Sequence, residues 1–111
     1  MKCVVADSGP LIALALLDSL HLPKVLWGQL LAPATVLEEC TALRGITGVR
    51  LIELAVADGL IDEASDTVLE NDIATLGLDL GESQALGLAR RIQAGLLVDE
   101  RRGRRAARVC F

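Results

Sequence analysis

The chain has 111 residues, which is enough for one domain, 1–111, with a core of its own. It contains two aromatic residues, Trp27 and Phe111, which excludes recognition of nucleic-acid bases by stacking on a set of aromatic side chains. Charge is unevenly distributed: residues 1–89 carry 4 Lys+Arg against 13 Asp+Glu, whereas residues 90–111 carry 7 Arg against 2 Asp+Glu. An acidic body of this kind can hold cations, while its basic end can bind a polyanion.

The cysteines and the apolar runs indicate where the protein works. The cysteines are odd in number and lack the spacing of a metal site, which predicts free thiols in a reducing cytosol; they are Cys3, Cys40 and Cys110. The apolar run at residues 11–17 is too short to cross a bilayer, and Asp7 and Asp18 interrupt any signal-peptide pattern. We therefore expect a cytoplasmic protein that does not contact a membrane.

The first structural signal is a β-branched run followed at once by Asp7, Ser8, Gly9 and Pro10. This order predicts a strand that ends at the start of a helix, with the proline in the first helical turn and Ser8 or Gly9 as its cap. Residues 11–17 are apolar on every side, which predicts a buried helix. Asp7 would then lie at the carboxyl end of a strand, where ligands bind in open α/β sheets. The alternative is that Asp7 only assists the helix cap.

The next segments predict a short helix, a strand and a longer helix. The short helix starts at residues 21–23 and runs through residue 27, residues 30–32 form the strand, and residues 34–43 form the longer helix. Glu39 falls on the apolar face of the longer helix, residues 34–43, whereas Glu38 and Thr35 point away from that face. A carboxylate on a core-facing stripe is costly unless it reaches a cavity, a partner or a metal. The alternative is that Glu39 lies at the edge of the stripe, in solvent.

The middle of the chain is less distinctive. Residues 50–58 predict a helix that ends at Gly59, followed by a short strand at residues 60–62. Asp66 is then expected to cap another short helix that ends at Gly77.

A clearer helix start follows at Asp79 and Glu82, which have the spacing of a capping box. Glu82 shares a face with small and apolar residues, so it too is expected to point inward. Capping alone is the alternative explanation for Glu82.

The end of the chain predicts one more strand and one more helix. Residues 96–98 form the strand, and Asp99 and Glu100 follow it directly. In the helix expected at residues 101–110, the small residues share one face and the arginines line another. That arginine face would attract a polyanion, or it is simply solvated; it comprises Arg101, Arg104, Arg105 and Arg108.

Four acids therefore share an inward direction at one edge of an alternating β/α chain: Asp7, Glu39, Glu82 and Asp99. Gathered together, they would repel one another unless a cation neutralised them. Hard divalent cations with oxygen ligands, Mg²⁺ or Mn²⁺, suit such a set. A metal of this kind can orient water and stabilise a phosphoryl group under attack, which points to phosphodiester hydrolysis.

Four segments, in order along the chain, resemble the PIN-domain family of small metal-dependent ribonucleases, which includes many toxins of toxin–antitoxin pairs. They are VADSGPLIAL at residues 5–14, PATVLEE at 33–39, LGESQAL at 80–86 and LVDERRGR at 97–104. The resemblance implies an α/β protein, a three-layer α/β/α domain with a parallel sheet. It also implies that Asp7, Glu39, Glu82 and Asp99 are the metal-binding and catalytic acids, with Glu100 as the alternative fourth acid.

Two departures from the family pattern stand out. Members often carry Ser or Thr two residues after the first Asp, where this chain has Gly9 and only Ser8 could substitute. Members also usually continue into a further strand, so we expect a sheet without that last strand and a homodimer that covers the open edge.

The resulting expectation is a Mg²⁺- or Mn²⁺-dependent ribonuclease, the toxin partner of an antitoxin protein. In it, Ser8 and the arginine face contact RNA. The alternative is a non-catalytic PIN-like module that binds a partner protein or RNA.

Overall fold

The fold is built on a four-stranded parallel sheet. A computed structural model describes residues 3–42, 45 and 47–98. The strands are β1 (Val4–Ala6), β2 (Leu30–Pro33), β3 (Asp62–Ala64) and β4 (Gly95–Leu97). The helices of the described residues are α1 (Ser8–Leu16), α2 (Leu22–Trp27), α3 (Ala34–Ala42), α4 (Thr47–Ala57), α5 (Asn71–Ala74) and α6 (Leu80–Ile92).

The sheet order is β3-β2-β1-β4, with every pairing parallel. Strand β1 is central and buried along its whole length, as a strand covered by helices on both faces must be. Its register pairs Val5 with Leu31 on one side and Ala6 with Leu97 on the other. The predicted three-layer α/β/α architecture is confirmed. Because parallel strands end at the same edge of the sheet, β1 delivers Asp7 to that edge.

Most predicted elements are confirmed with small shifts in their ends, and β3 shows why one shift arose. A strand was expected at residues 60–62, but β3 begins at Asp62. The amides of Leu60 and Ile61 both donate to the carbonyl of Ala55, at 2.8 and 3.2 Å. These two residues therefore close the end of α4, and the strand starts only after them. Gly59 makes the turn with a φ of 80°, a left-handed conformation that favours glycine.

The prediction that the first helix is buried on all sides is wrong. In α1, Leu11 and Ala15 face the core, whereas Leu16 is 61% exposed and Leu17, just after the helix, is 73% exposed. An apolar sequence cannot reveal that only one side of a helix will meet a neighbour, which here is chiefly α4. Helix α2 also exposes apolar side chains: Leu22, Val25 and Leu26. None of the helices in the described part of the chain has the length and apolar composition needed to span a membrane.

Asp66 caps a different helix from the one expected. Its carboxylate accepts hydrogen bonds from the amide of Thr35, at 3.2 Å, and from the Thr35 hydroxyl, so it closes the first turn of α3. Thr35 is buried for the same reason, although it was predicted to face outward. The short helix that Asp66 was expected to start is instead α5, whose N-cap residue is Glu70.

Replacing Asp66 with alanine should lower the free energy of unfolding by about 0.5–2 kcal/mol, the usual effect of losing a helix cap. The physical reason is that the Thr35 amide and its buried hydroxyl both lose their acceptor. Urea denaturation measures the change. Glu63→Ala, which removes an exposed carboxylate from β3, is the control, and an equal loss in both variants would contradict the capping role.

Candidate metal centre

Asp7 is a buried carboxylate at the junction of β1 and α1. Its backbone occupies the N-cap position of α1, and its amide donates to the Leu97 carbonyl of β4 at 3.0 Å. Its side chain makes no capping hydrogen bond. Its Oδ1 atom is buried and has no hydrogen-bond partner. The capping explanation for this carboxylate is therefore not supported, and Ser8 and Gly9 lie inside the helix rather than at its cap.

The surroundings of Asp7 disfavour its charge. Burial raises the pKa of this carboxyl from its ordinary value of 3.8 to about 6. The Ser8 amide opposes the shift, whereas the negative charges of Glu82, Asp79 and Glu39 add to it. A carboxylate that is only 4% exposed and lies among three other acids is the kind of group that a cation would stabilise.

Glu39 reaches the same region from α3. Its Oε1 accepts a hydrogen bond from the Gly81 amide at 3.0 Å, and its Oε2 accepts one from Ser8 Oγ at 3.4 Å. Burial is the main cause of its raised pKa, and the negative charges of Asp79 and Glu82 contribute to the same shift. Glu39 is partly exposed, so its carboxylate lies at the edge of the apolar face, as the alternative had it, but it is held there by two hydrogen bonds.

Glu82 is held by the first turn of α6. The predicted cap is confirmed in that Asp79 Oδ1 accepts from the Glu82 amide at 2.8 Å. The Glu82 side chain does not serve the cap alone. It is only 5% exposed, and its charge raises the pKa of both Asp7 and Glu39. The structure thus brings Asp7, Glu39 and Glu82 into one electrostatic neighbourhood.

Sequence reasoning missed two members of this neighbourhood. Asp79 was assigned only a capping role, yet its charge acts on Asp7 and is the leading electrostatic contribution to the raised pKa of Glu39. The signal was present, since a cap residue three positions before Glu82 must lie within one helical turn of it. The second omission is the Gly81 amide, which no pattern of side chains could reveal.

Several predicted site residues lie outside the described residues: Asp99, Glu100, Arg101, Arg104, Arg105 and Arg108. Ser8, predicted to contact nucleic acid, is described, and its hydroxyl donates to Glu39.

The chemistry of these donors suits an oxygen-ligated divalent cation, but their arrangement in the described residues does not form a metal-binding group. Asp7, Glu39 and Glu82 offer only oxygen atoms, and the unpartnered Oδ1 of Asp7 is a free acceptor among like charges. Within the described residues (3–42, 45 and 47–98), no three His, Cys, Asp or Glu side chains form a group able to hold a metal ion. The two free thiols described, of Cys3 and Cys40, add no further ligand set.

The raised pKa of Asp7 predicts how stability depends on pH in the absence of metal. The folded protein binds this proton more tightly than the unfolded chain, so stability falls as pH rises from about 4 to about 6. A shift of this size corresponds to at most about 3 kcal/mol. Asp7→Asn cannot ionise there and should lose markedly less stability over the same range. Urea denaturation at pH 4, 5, 6 and 7 in EDTA measures both proteins, and parallel curves would contradict the buried, crowded environment of Asp7.

Comparison with known sequences agrees with this geometry. A family model described as a PIN domain matches residues 3–110. No curated protein matches, and no solved structure matches. Since the match covers almost the whole chain, the protein belongs to the PIN-domain family, whose members are generally nucleases.

Proposed function

We propose that this PIN domain is a Mg²⁺- or Mn²⁺-dependent endoribonuclease that hydrolyses RNA phosphodiester bonds, and that it is the toxin of a toxin–antitoxin pair. The observation that carries the proposal is the buried Asp7 carboxylate, whose Oδ1 has no partner while the charges of Glu39 and Glu82 act on it. A metal-dependent nuclease needs carboxylates gathered in advance to receive its cation.

In this proposal Asp7, Glu39 and Glu82 supply carboxylate oxygens to the cation. When bound, a divalent cation supplies Lewis-acid stabilisation of the phosphoryl group and a water of lowered pKa. The Gly81 amide and the Ser8 hydroxyl keep the Glu39 carboxylate turned toward the other acids. Without a cation, the same acids would repel an RNA phosphate.

Asp99 is proposed as the fourth acid, with Glu100 as the alternative. The register supports this choice, because Leu97 pairs with Ala6 and accepts the Asp7 amide, so β4 ends beside the first acid. Cleavage by Asp99→Asn and by Glu100→Gln distinguishes the two.

Cleavage of a labelled single-stranded RNA, with Mn²⁺ or with EDTA, tests the activity. Asp7→Asn and Glu39→Gln should reduce the rate at least about 100-fold, because even groups that merely support a metal ligand commonly contribute 10–100-fold. Glu38→Gln is the matched control: it removes an exposed carboxylate next to Glu39 and should cleave like the wild type.

Cleavage in EDTA, or equal rates in wild type and Asp7→Asn, would contradict the proposal. RNA binding without cleavage at any Mn²⁺ concentration would favour the alternative of a non-catalytic module. A second readout is stability, since Mn²⁺ at a hundredfold excess over its dissociation constant should stabilise the wild type by about 2.7 kcal/mol. Asp7→Asn should lose most of that gain.

The arginine face is proposed to bind the RNA backbone. Each phosphate contact releases counterions, so removing one should flatten the slope of log K against log salt by about 0.7 for a single strand. The RNA affinities of Arg104→Ala and Arg108→Ala are measured at several salt concentrations by fluorescence anisotropy. Both substitutions are made in a catalytically inactive variant, so that the RNA is not cleaved. Unchanged slopes would mean that these arginines do not contact phosphates.

An antitoxin partner and a homodimer complete the proposal. The exposed apolar side chains of α1 and α2 support association with another protein, because surfaces of this kind mark interaction sites. The sheet of the described residues also ends at β4, whose three residues are only partly buried. Either surface could be covered by a partner or by a second copy.

A further inference from the structure

A side chain at position 81 would displace the carboxylate of Glu39. Gly81 is the second residue of α6, and a Cβ atom built on it would stand 2.7 Å from Cδ of Glu39, 2.5 Å from Oε1 and closer still to Oε2. Real Cβ atoms essentially never approach other heavy atoms so closely. The carboxylate of Glu39 therefore occupies the space that a side chain at position 81 would need.

Backbone conformation does not explain this glycine. The glycines with positive φ in the described residues are Gly28, Gly45, Gly59 and Gly77, so Gly81 has the ordinary backbone of a helix. Gly87 on the same helix differs, because its Cβ would meet Leu69 and Ile73 at ordinary distances of 3.7 and 3.8 Å. Alanine suits a helix better than glycine, so helix formation does not favour glycine at position 81.

The Gly81 amide also forms a hydrogen bond at this contact. The first amides of a helix have no partner within the helix, and this one donates to Glu39 Oε1 at 3.0 Å. The positive end of the α6 dipole favours a carboxylate in this place. These attractions oppose the repulsion that Glu39 experiences from Asp79 and Glu82.

We propose that Gly81 is a positioning residue, which acts through Glu39. Its amide anchors the carboxylate, and its lack of a side chain lets that carboxylate approach α6 closely enough to join Asp7 and Glu82. The contact itself is independent of any activity; its value for metal binding rests on the function proposed above.

A double-mutant cycle tests the contact without metal. Thermal unfolding in EDTA is measured for the wild type, Gly81→Ala, Glu39→Ala and the double variant. Gly81→Ala should lower the Tm of the wild type, because the new Cβ displaces the carboxylate and the Gly81 amide loses its charged acceptor. In the Glu39→Ala background the same change should raise the Tm, because only the helix preference for alanine remains.

Gly87→Ala is the matched control, since it makes the same chemical change on the same helix. It should not lower the Tm in either background. An equal fall caused by Gly81→Ala in both backgrounds would overturn the proposal, because Gly81 would then act through the helix alone. If Gly81→Ala does not fold, recovery of a folded double variant is the same reversal and supports the proposal.

A measurement of Mn²⁺ affinity tests whether the contact between Gly81 and Glu39 contributes to metal binding. The electron paramagnetic resonance signal of the free ion reports how much Mn²⁺ is unbound. Gly81→Ala should bind Mn²⁺ about 10-fold more weakly or worse, whereas Gly87→Ala should bind like the wild type. Unchanged affinity in Gly81→Ala would overturn the role in metal binding. A wild type that binds no Mn²⁺ would contradict the proposed function, while the sign reversal in EDTA would still establish Gly81 as the residue that positions Glu39.

Discussion

The constraint on which this structure depends is the gathering of like charge at one edge of a parallel sheet. Asp7, Glu39 and Glu82 come from three different parts of the fold; the charges of Glu39 and Glu82 disfavour the ionisation of Asp7, and that of Glu82 disfavours the ionisation of Glu39. Folding can tolerate this arrangement because helix amides offset part of the cost: Gly81 donates to Glu39, and the Glu82 amide donates to Asp79. Asp7 Oδ1 receives no such help. The uncompensated atom is thus the one at the end of the central strand, where a bound cation would have the most to contribute.

Local chemistry explains how much of the fold was predictable. The boundary between β1 and α1, the helix that begins at Ala34 and the cap at Asp79 each depend on residues within a few positions of one another. Such signals exist in the sequence itself, because a strand that ends in Asp-Ser-Gly-Pro or a helix that opens with a capping pair fixes its own backbone. The parallel sheet was implied by the family resemblance, and the alternation of strands and helices is typical of such a sheet. Three of the four predicted acids consequently lie where the topology implied.

What could not be predicted depends on contacts between distant parts of the chain. Glu39 meets Gly81 across 42 positions, and Thr35 meets Asp66 across 31. Periodicity states which face of a helix is apolar, but it does not state which element will cover that face. The exposed Leu17 after α1 is the clearest example, since a run that is apolar on all sides packs on only one of them. Apolar surface left exposed after folding is then information about association rather than about the core.

The departure at Gly9 also has a physical interpretation. PIN domains often have a hydroxyl two residues after the first Asp, and here a Cβ at Gly9 would have no heavy atom within 4 Å, so packing does not impose the glycine. The preceding residue has a hydroxyl, and Ser8 Oγ donates to Glu39 Oε2 at 3.4 Å. Ser8 is the first residue of α1, adjacent to Asp7, and Glu39 belongs to α3. One carboxylate therefore accepts a hydroxyl from α1 and an amide from α6, so Glu39 of α3 links these three helices by hydrogen bonds in addition to their apolar packing.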